Sequence, residues 1–141
     1  MKSRGFVLIV IAAALSVAPP LLVNTSKAAG GYSAQLISPA AGQVAYPGQK
    51  IRVEWRSILP PINLGACEME VWLSLDGGHT YPMRISPWMG PKAQYFDWTI
   101  PNTPTNHAVL DIRFGCEPGY PESFSPQPAS TFTIAPAAPA S

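Results

Sequence analysis

The chain has 141 residues, 47% hydrophobic and 12% charged, with nine basic side chains against eight acidic ones and a formal net charge of +1. The cations are scattered and form no patch that could carry the electrostatic part of nucleic-acid binding, which argues against a nucleic-acid partner. Seventeen prolines and eleven glycines punctuate the sequence, and no window holds a helical period, so short strands and turns are expected.

In chain order, Lys2 and Arg4 precede an uncharged apolar run from Phe6 to Ala18. That run is about 13 residues long, too short to cross a ~30 Å hydrocarbon core comfortably as a helix. With small residues at Ser26 and Ala28, the layout predicts a secretory signal peptide over residues 1–28. The expected location is therefore exported, periplasmic or extracellular, with no membrane span after cleavage. Loss of Lys2, Arg4 and Lys27 leaves six basic side chains against eight acidic ones, a net of −2. The remainder suits one domain, residues 29–134, followed by a flexible Pro/Ala tail, 135–141. Two cysteines in an exported chain predict one disulfide.

Alternation marks the strands. Lys50–Ser57 places Ile51, Val53 and Trp55 on one face and Arg52, Glu54 and Arg56 on the other. Cys67–Leu75 turns Cys67, Met69, Val71, Leu73 and Leu75 inward and Glu68, Glu70 and Trp72 outward. Ala108–Cys116 turns Leu110, Ile112 and Phe114 inward and Asp111 and Arg113 outward. Weaker strands are expected at Ser33–Ser38, Pro82–Ser86, Gln94–Ile100 and Ser130–Ile134. Seven short strands separated by turns predict an all-β, seven-stranded antiparallel sandwich.

Between two of these strands, "SLDGGHTY" (Ser74–Tyr81) resembles the Asp-box of sialidases and other β-propellers. A propeller repeats its blade every 40–50 residues or so, and this sequence has one copy and no internal repeat. The stretch is read instead as a hairpin turn, in which Asp76 bonds backbone amides and Gly77 and Gly78 supply positive φ.

Four segments in order, "SPAAGQVAYPGQKIRVEW" (Ser38–Trp55), "VWLSLDGGHTY" (Val71–Tyr81), "YFDWTIP" (Tyr95–Pro101) and "AVLDIRF" (Ala108–Phe114), resemble the bacterial immunoglobulin-like, or fibronectin type III-like, domain of exported proteins. The resemblance covers residues 34–134. It implies a β-sandwich, usually non-enzymatic, that serves as an accessory module. In such a sandwich the strands that begin at Cys67 and end at Cys116 are antiparallel neighbours. The resemblance thus implies a Cys67–Cys116 disulfide closing a loop of about 50 residues, worth roughly 3–4 kcal/mol.

The same arrangement gathers three connections at the disulfide end: Ile58–Ala66, Pro87–Lys92 and Glu117–Ala129. They offer Leu59, Ile62, Leu64, Trp88, Met89, Tyr120 and Phe124 as a surface for a protein partner. The competing reading is that these side chains pack on one another and cap the sandwich. A second candidate is a carbohydrate platform made of Trp72, Tyr81 or Trp88, against which Trp72 could instead pack across the sheet on an arginine or another aromatic. Trp55 and Trp98 fall on the inner parity and belong to the core.

Catalysis and metal binding find less support. His79 and His107, with Asp76, lack the short spacing of a metal site and read as solvated turn residues. "LISPAAGQV" resembles the opening of periplasmic copper carriers, but Met69, Met83 and Met89 form no methionine-rich run. Ser74 is expected on an outward position with no base beside it, and Glu68 and Glu70, two apart on one strand, are too simple for a glycosidase pair without a cleft. The expectation is a protein that is not an enzyme and needs no cofactor: an interaction or assembly subunit or, alternatively, a small carbohydrate-binding protein.

Overall fold

Alternation of apolar and polar residues becomes strand wherever it was read, in a computed structural model that describes residues 31–140. The strands are β1 (Ser33–Ser38), β2 (Val44–Ala45), β3 (Lys50–Ile58), β4 (Cys67–Ser74), β5 (Met83–Arg84), β6 (Tyr95–Thr99), β7 (Thr105–Cys116), β8 (Tyr120–Ser123) and β9 (Phe132–Ile134). All seven expected strands are present, and β2 and β8 are additional, making nine among the described residues. The leader expected over 1–28 lies outside those residues, as does Ser141. Among the described residues no helix is long and apolar enough to cross a membrane, and 135–140 carry no regular structure.

Two sheets form. One has the order β1-β3-β6. The other runs β2-β9-β7-β4-β5, with β8 also paired to β7. Every pairing is antiparallel except the short parallel contact of β2 with β9. Their inner faces supply the core. Val53 and Trp55 from β3, Phe96 and Trp98 from β6, Met69, Val71 and Leu73 from β4, and Leu110, Ile112 and Phe114 from β7 are all buried. Each such side chain contributes about 1.5–3 kcal/mol on leaving water, so the inner parity holds the two sheets together. Trp98 and Phe132 meet edge to face at 6.3 Å, a contact that runs from one sheet to the other.

Tyr32 ties the start of the domain to the second sheet. Its ring stacks on Phe114 at 5.1 Å, and its hydroxyl donates to the Ile112 carbonyl at 2.9 Å. Burial raises its phenol above the ordinary tyrosine range, with Asp111 adding to the effect.

The segment Glu117–Ala129, expected as one long loop, is mostly a paired strand. Only a turn at 117–119 precedes β8, which runs back along β7 with Phe114 opposite Ser123 and Cys116 opposite Tyr120. Below β8 the pairing continues: Ile112 N–H donates to the Ser125 carbonyl at 3.2 Å and Gln127 N–H to the Leu110 carbonyl at 2.8 Å. Pro126 falls between these two, at a position whose missing N–H the ladder does not need. The Ser125 and Gln127 side chains then reach the other sheet. Ala34 N–H donates to Ser125 Oγ at 3.0 Å and Leu36 N–H to Gln127 Oε1 at 2.9 Å. These bonds cap the outer edge of β1 and close one side of the sandwich.

Candidate functional site

β4 and β7 form the longest pairing, with Cys67 opposite Cys116 at its top and Ser74 opposite Val109 at its foot. The Cys67–Cys116 disulfide is present, with an S–S distance of 2.03 Å, and it joins positions 49 apart in sequence. On the outer face of this pair, Glu68 lies opposite Gly115, Glu70 opposite Arg113, and Trp72 opposite Asp111. Gly115 has no side chain to put on that face. A Cβ there would come within 3.2 Å of the Glu122 Cα, so glycine lets β8 cross close to β7 and leaves a floor beside Glu68.

The wall on the far side of β4 comes from the residues after β5. Met69 and Met89 exchange two backbone hydrogen bonds, of 2.9 and 3.0 Å, which extends the β5 edge as far as Met89. Met89 packs on the core, while Trp88 before it is 68% exposed. The Arg84 guanidinium lies 4.7 Å over the Trp88 ring and reaches Glu70 at 3.4 Å. On the opposite side, Tyr120 rests edge-on against Phe114 at 5.4 Å, and Glu122 follows it on β8. The result is an open groove of about 870 Å³ lined by Glu68, Glu70, Trp88, Arg113, Glu117, Tyr120 and Glu122, with Gly115 and Cys116 beneath.

One cation in the groove is already neutralised. Arg113 Nε contacts Asp111 at 2.7 Å, and its Nη1 stands 3.7 Å from Glu122. Three rings surround it, Trp72 at 4.5 Å, Phe124 at 4.7 Å and Tyr81 at 5.9 Å. Asp111 was expected outside. It does lie on the outer parity but is only 2% exposed, because the strand-like segment after β8 covers it and Ser125 N–H donates to it at 2.9 Å. Burial pushes the Asp111 carboxyl up, opposed by Arg113 and the Ser125 amide. Burial also raises the Glu122 carboxyl; Arg113 opposes this, and Glu70 beside it adds to the rise. The Tyr81 phenol is pushed up to about 12, first by burial and then by Asp111.

The seven residues expected to form a partner surface divide. Leu59, Leu64, Met89 and Tyr120 pack against the core and so cap the sandwich, whereas Ile62 and Phe124 are exposed, as is Trp88. Trp88 and Tyr120 come together in the groove. Phe124 belongs to the Arg113 cluster instead, because the chain that carries it runs along β7 rather than out into a loop. Trp72 and Tyr81 join it there, so the cross-strand arginine packing weighed for Trp72 is the arrangement found. The groove carboxylates Glu117 and Glu122, and the role of Arg84, went unread in the sequence. The usable signal was that Glu68 and Glu70 share the outward parity of Trp72 on one strand.

At the other end, the Ser74–Thr80 turn satisfies itself. Ser74 Oγ donates to Asp76 Oδ1 at 2.7 Å and accepts from Gly78 N–H at 2.8 Å. Thr80 donates its N–H to Oδ1 at 2.9 Å and its hydroxyl to Oδ2 at 2.7 Å. Gly77 and Gly78 take φ of 74° and 92°, a region favourable to glycine. Ser74, expected to point outward, is fully buried because its hydroxyl is the hub of this turn. Gly77 N–H donates to the His107 carbonyl at 2.9 Å, so both histidines lie at this end, and both are exposed. Among the described residues no group of three or more His, Cys, Asp or Glu side chains could hold a metal ion.

Compared with known proteins, the chain matches no protein-family model and no curated protein.

Proposed function

We propose that the chain is an exported, non-enzymatic β-sandwich of immunoglobulin-like type that works as an interaction or assembly subunit in the cell envelope or extracellular space. The groove is the observation that carries this reading: an open concavity of about 870 Å³, floored by β4, β7 and β8, with a 68% exposed tryptophan at its wall. An exposed aromatic anchor beside a preformed concavity offers a partner a binding surface. The strand orders β1-β3-β6 and β9-β7-β4-β5 support the immunoglobulin-like assignment. The Cys67–Cys116 disulfide supports an oxidising compartment. Against a glycan platform, Trp72 and Tyr81 are half-buried with Arg113 at 4.5 and 5.9 Å over their rings; Trp88 carries Arg84 at 4.7 Å but is the exposed residue of the three.

The test is cross-linked affinity capture of the full chain from its own envelope and culture medium, beside Trp88→Ala. A partner retained by the wild type and lost by the variant supports the reading. Equal capture by both, or a tryptophan-fluorescence response to polysaccharide that Trp88→Ala abolishes, goes against it.

A further inference from the structure

We infer that the groove between Trp88 and β8 seats a basic, extended peptide segment of the partner, with a lysine or arginine side chain against Trp88 and the groove carboxylates. This rests on the reading of the chain as a protein-binding module. The first argument is charge. Four carboxylates, Glu68, Glu70, Glu117 and Glu122, line the groove; of the two guanidiniums beside them, Arg113 is held by Asp111 at 2.7 Å and Arg84, at the wall, by Glu70 at 3.4 Å. Among the described residues no ion pair reaches Glu68 or Glu117. Uncompensated charge of one sign in a concave surface attracts and orients a partner of the other sign.

The second argument is the protein's own use of the site. Arg84 lies 4.7 Å over the Trp88 ring while contacting Glu70 at 3.4 Å. An aromatic face and a carboxylate thus already receive one guanidinium at the groove wall, and Trp88 as a whole is still 68% exposed with that arginine in place. A second cation arriving from the solvent side meets the same chemistry, with Glu68 and Glu117 as its counter-charges.

The third argument is shape. From Ala66, just before β4, to Glu70 on it, the lining spans up to about 14 Å at the rise of an extended strand. That admits a few residues of extended chain and exceeds what one small cation needs. A cation placed there would also relieve the repulsion between Glu70 and Glu122, which adds to the rise of the Glu122 carboxyl.

The test titrates the full chain with a blocked hexapeptide of alternating lysine and alanine, and with its glutamate counterpart, following tryptophan fluorescence and heat. Glu68 and Glu117 are exposed, so E68Q/E117Q changes charge without threatening the fold. The expected result is binding of the lysine peptide alone, weakened about tenfold or more in E68Q/E117Q and in Trp88→Ala, and weakening further as salt rises. No binding of the lysine peptide, undiminished binding by E68Q/E117Q, or equal binding of the glutamate peptide would overturn the inference. A native partner lost by Trp88→Ala but retained in full by E68Q/E117Q would overturn the basic-peptide inference and leave the interaction reading standing. Capture indifferent to Trp88 would remove both.

Discussion

Arg113 holds its guanidinium 4.5 Å over the ring of Trp72, so the indole that faces outward by strand parity is a wall of an internal cation site. Phe124 and Tyr81 complete that wall, and Asp111 supplies the counter-charge. The outer face of the second sheet therefore has two parts. Its lower part is closed over Arg113 and is structural, and its upper part opens into the groove bounded by Trp88.

The closed part makes Arg113→Ala severely destabilising. Asp111, 2% exposed, would keep the Ser125 amide but lose its cation, and removing one partner of a buried pair costs about 3–5 kcal/mol. Urea unfolding should show a loss of about 3 kcal/mol, with much of it restored in Arg113→Met/Asp111→Asn. A loss under about 1 kcal/mol would show that the pair is solvated as an ordinary surface bridge.

The two outer tryptophans should part company in the same assay. Trp72→Ala removes a half-buried ring from under a guanidinium, and a loss of about 2 kcal/mol is expected. Trp88→Ala removes a side chain that is 68% exposed and should stay within about 0.5 kcal/mol of wild type. Equal costs would contradict the division of the face.

Asp76 sets an acid dependence. Hydrogen bonds from the Ser74 hydroxyl first, then from the Thr80 amide and hydroxyl, hold its carboxyl well below the usual carboxylate range. A carboxylate depressed in the folded state stabilises the fold above its unfolded value, near pH 3.9, and loses that contribution as pH falls through the folded value. Asp76→Asn should thus be less stable than wild type at pH 7, with the difference shrinking below about pH 4. Thermal melts across that range decide it, and a constant difference would contradict the sign.

Removing the disulfide should lower stability without changing the pairing of β4 with β7. The bridge closes a loop with a sequence separation of 49, and Cys67→Ala/Cys116→Ala is expected to cost about 3–4 kcal/mol. Amide exchange should remain slow at Val71 and Ile112 in the variant, since the core around them does not depend on the sulfurs. Fast exchange there would assign the bridge a role in forming the ladder itself.

Much of this architecture was readable from parity alone. Val53 and Trp55, Met69 and Val71, and Leu110 and Ile112 alternate with polar residues because each strand has one wet and one dry face. The Asp76 turn was legible for a local reason, since its hydrogen bonds fall within seven residues. Residues 117–129 were not. Four prolines, Pro118, Pro121, Pro126 and Pro128, look like breaks in a strand. Whether a proline breaks a ladder depends on which way its nitrogen faces, and that is set by register against β7. The groove was hidden for the same reason: Glu122 meets Arg113 and crowds Glu70 only after β8 folds back, and the Arg84–Trp88 pair comes to the groove wall only because residues 84–89 follow the edge of β4 as far as Met69. Asp111 illustrates the limit of parity, which gives the face a side chain occupies but not what later covers it.

The most direct measurement is hydroxyl-radical footprinting of the protein in its native envelope or medium, compared with the purified chain. The account predicts protection of Trp88 and of residues 117–122 in the native setting, with Ile37, Ile58 and Tyr95 on the outer face of the other sheet equally reactive in both. Protection confined to that other face, or no protection at Trp88, would contradict it.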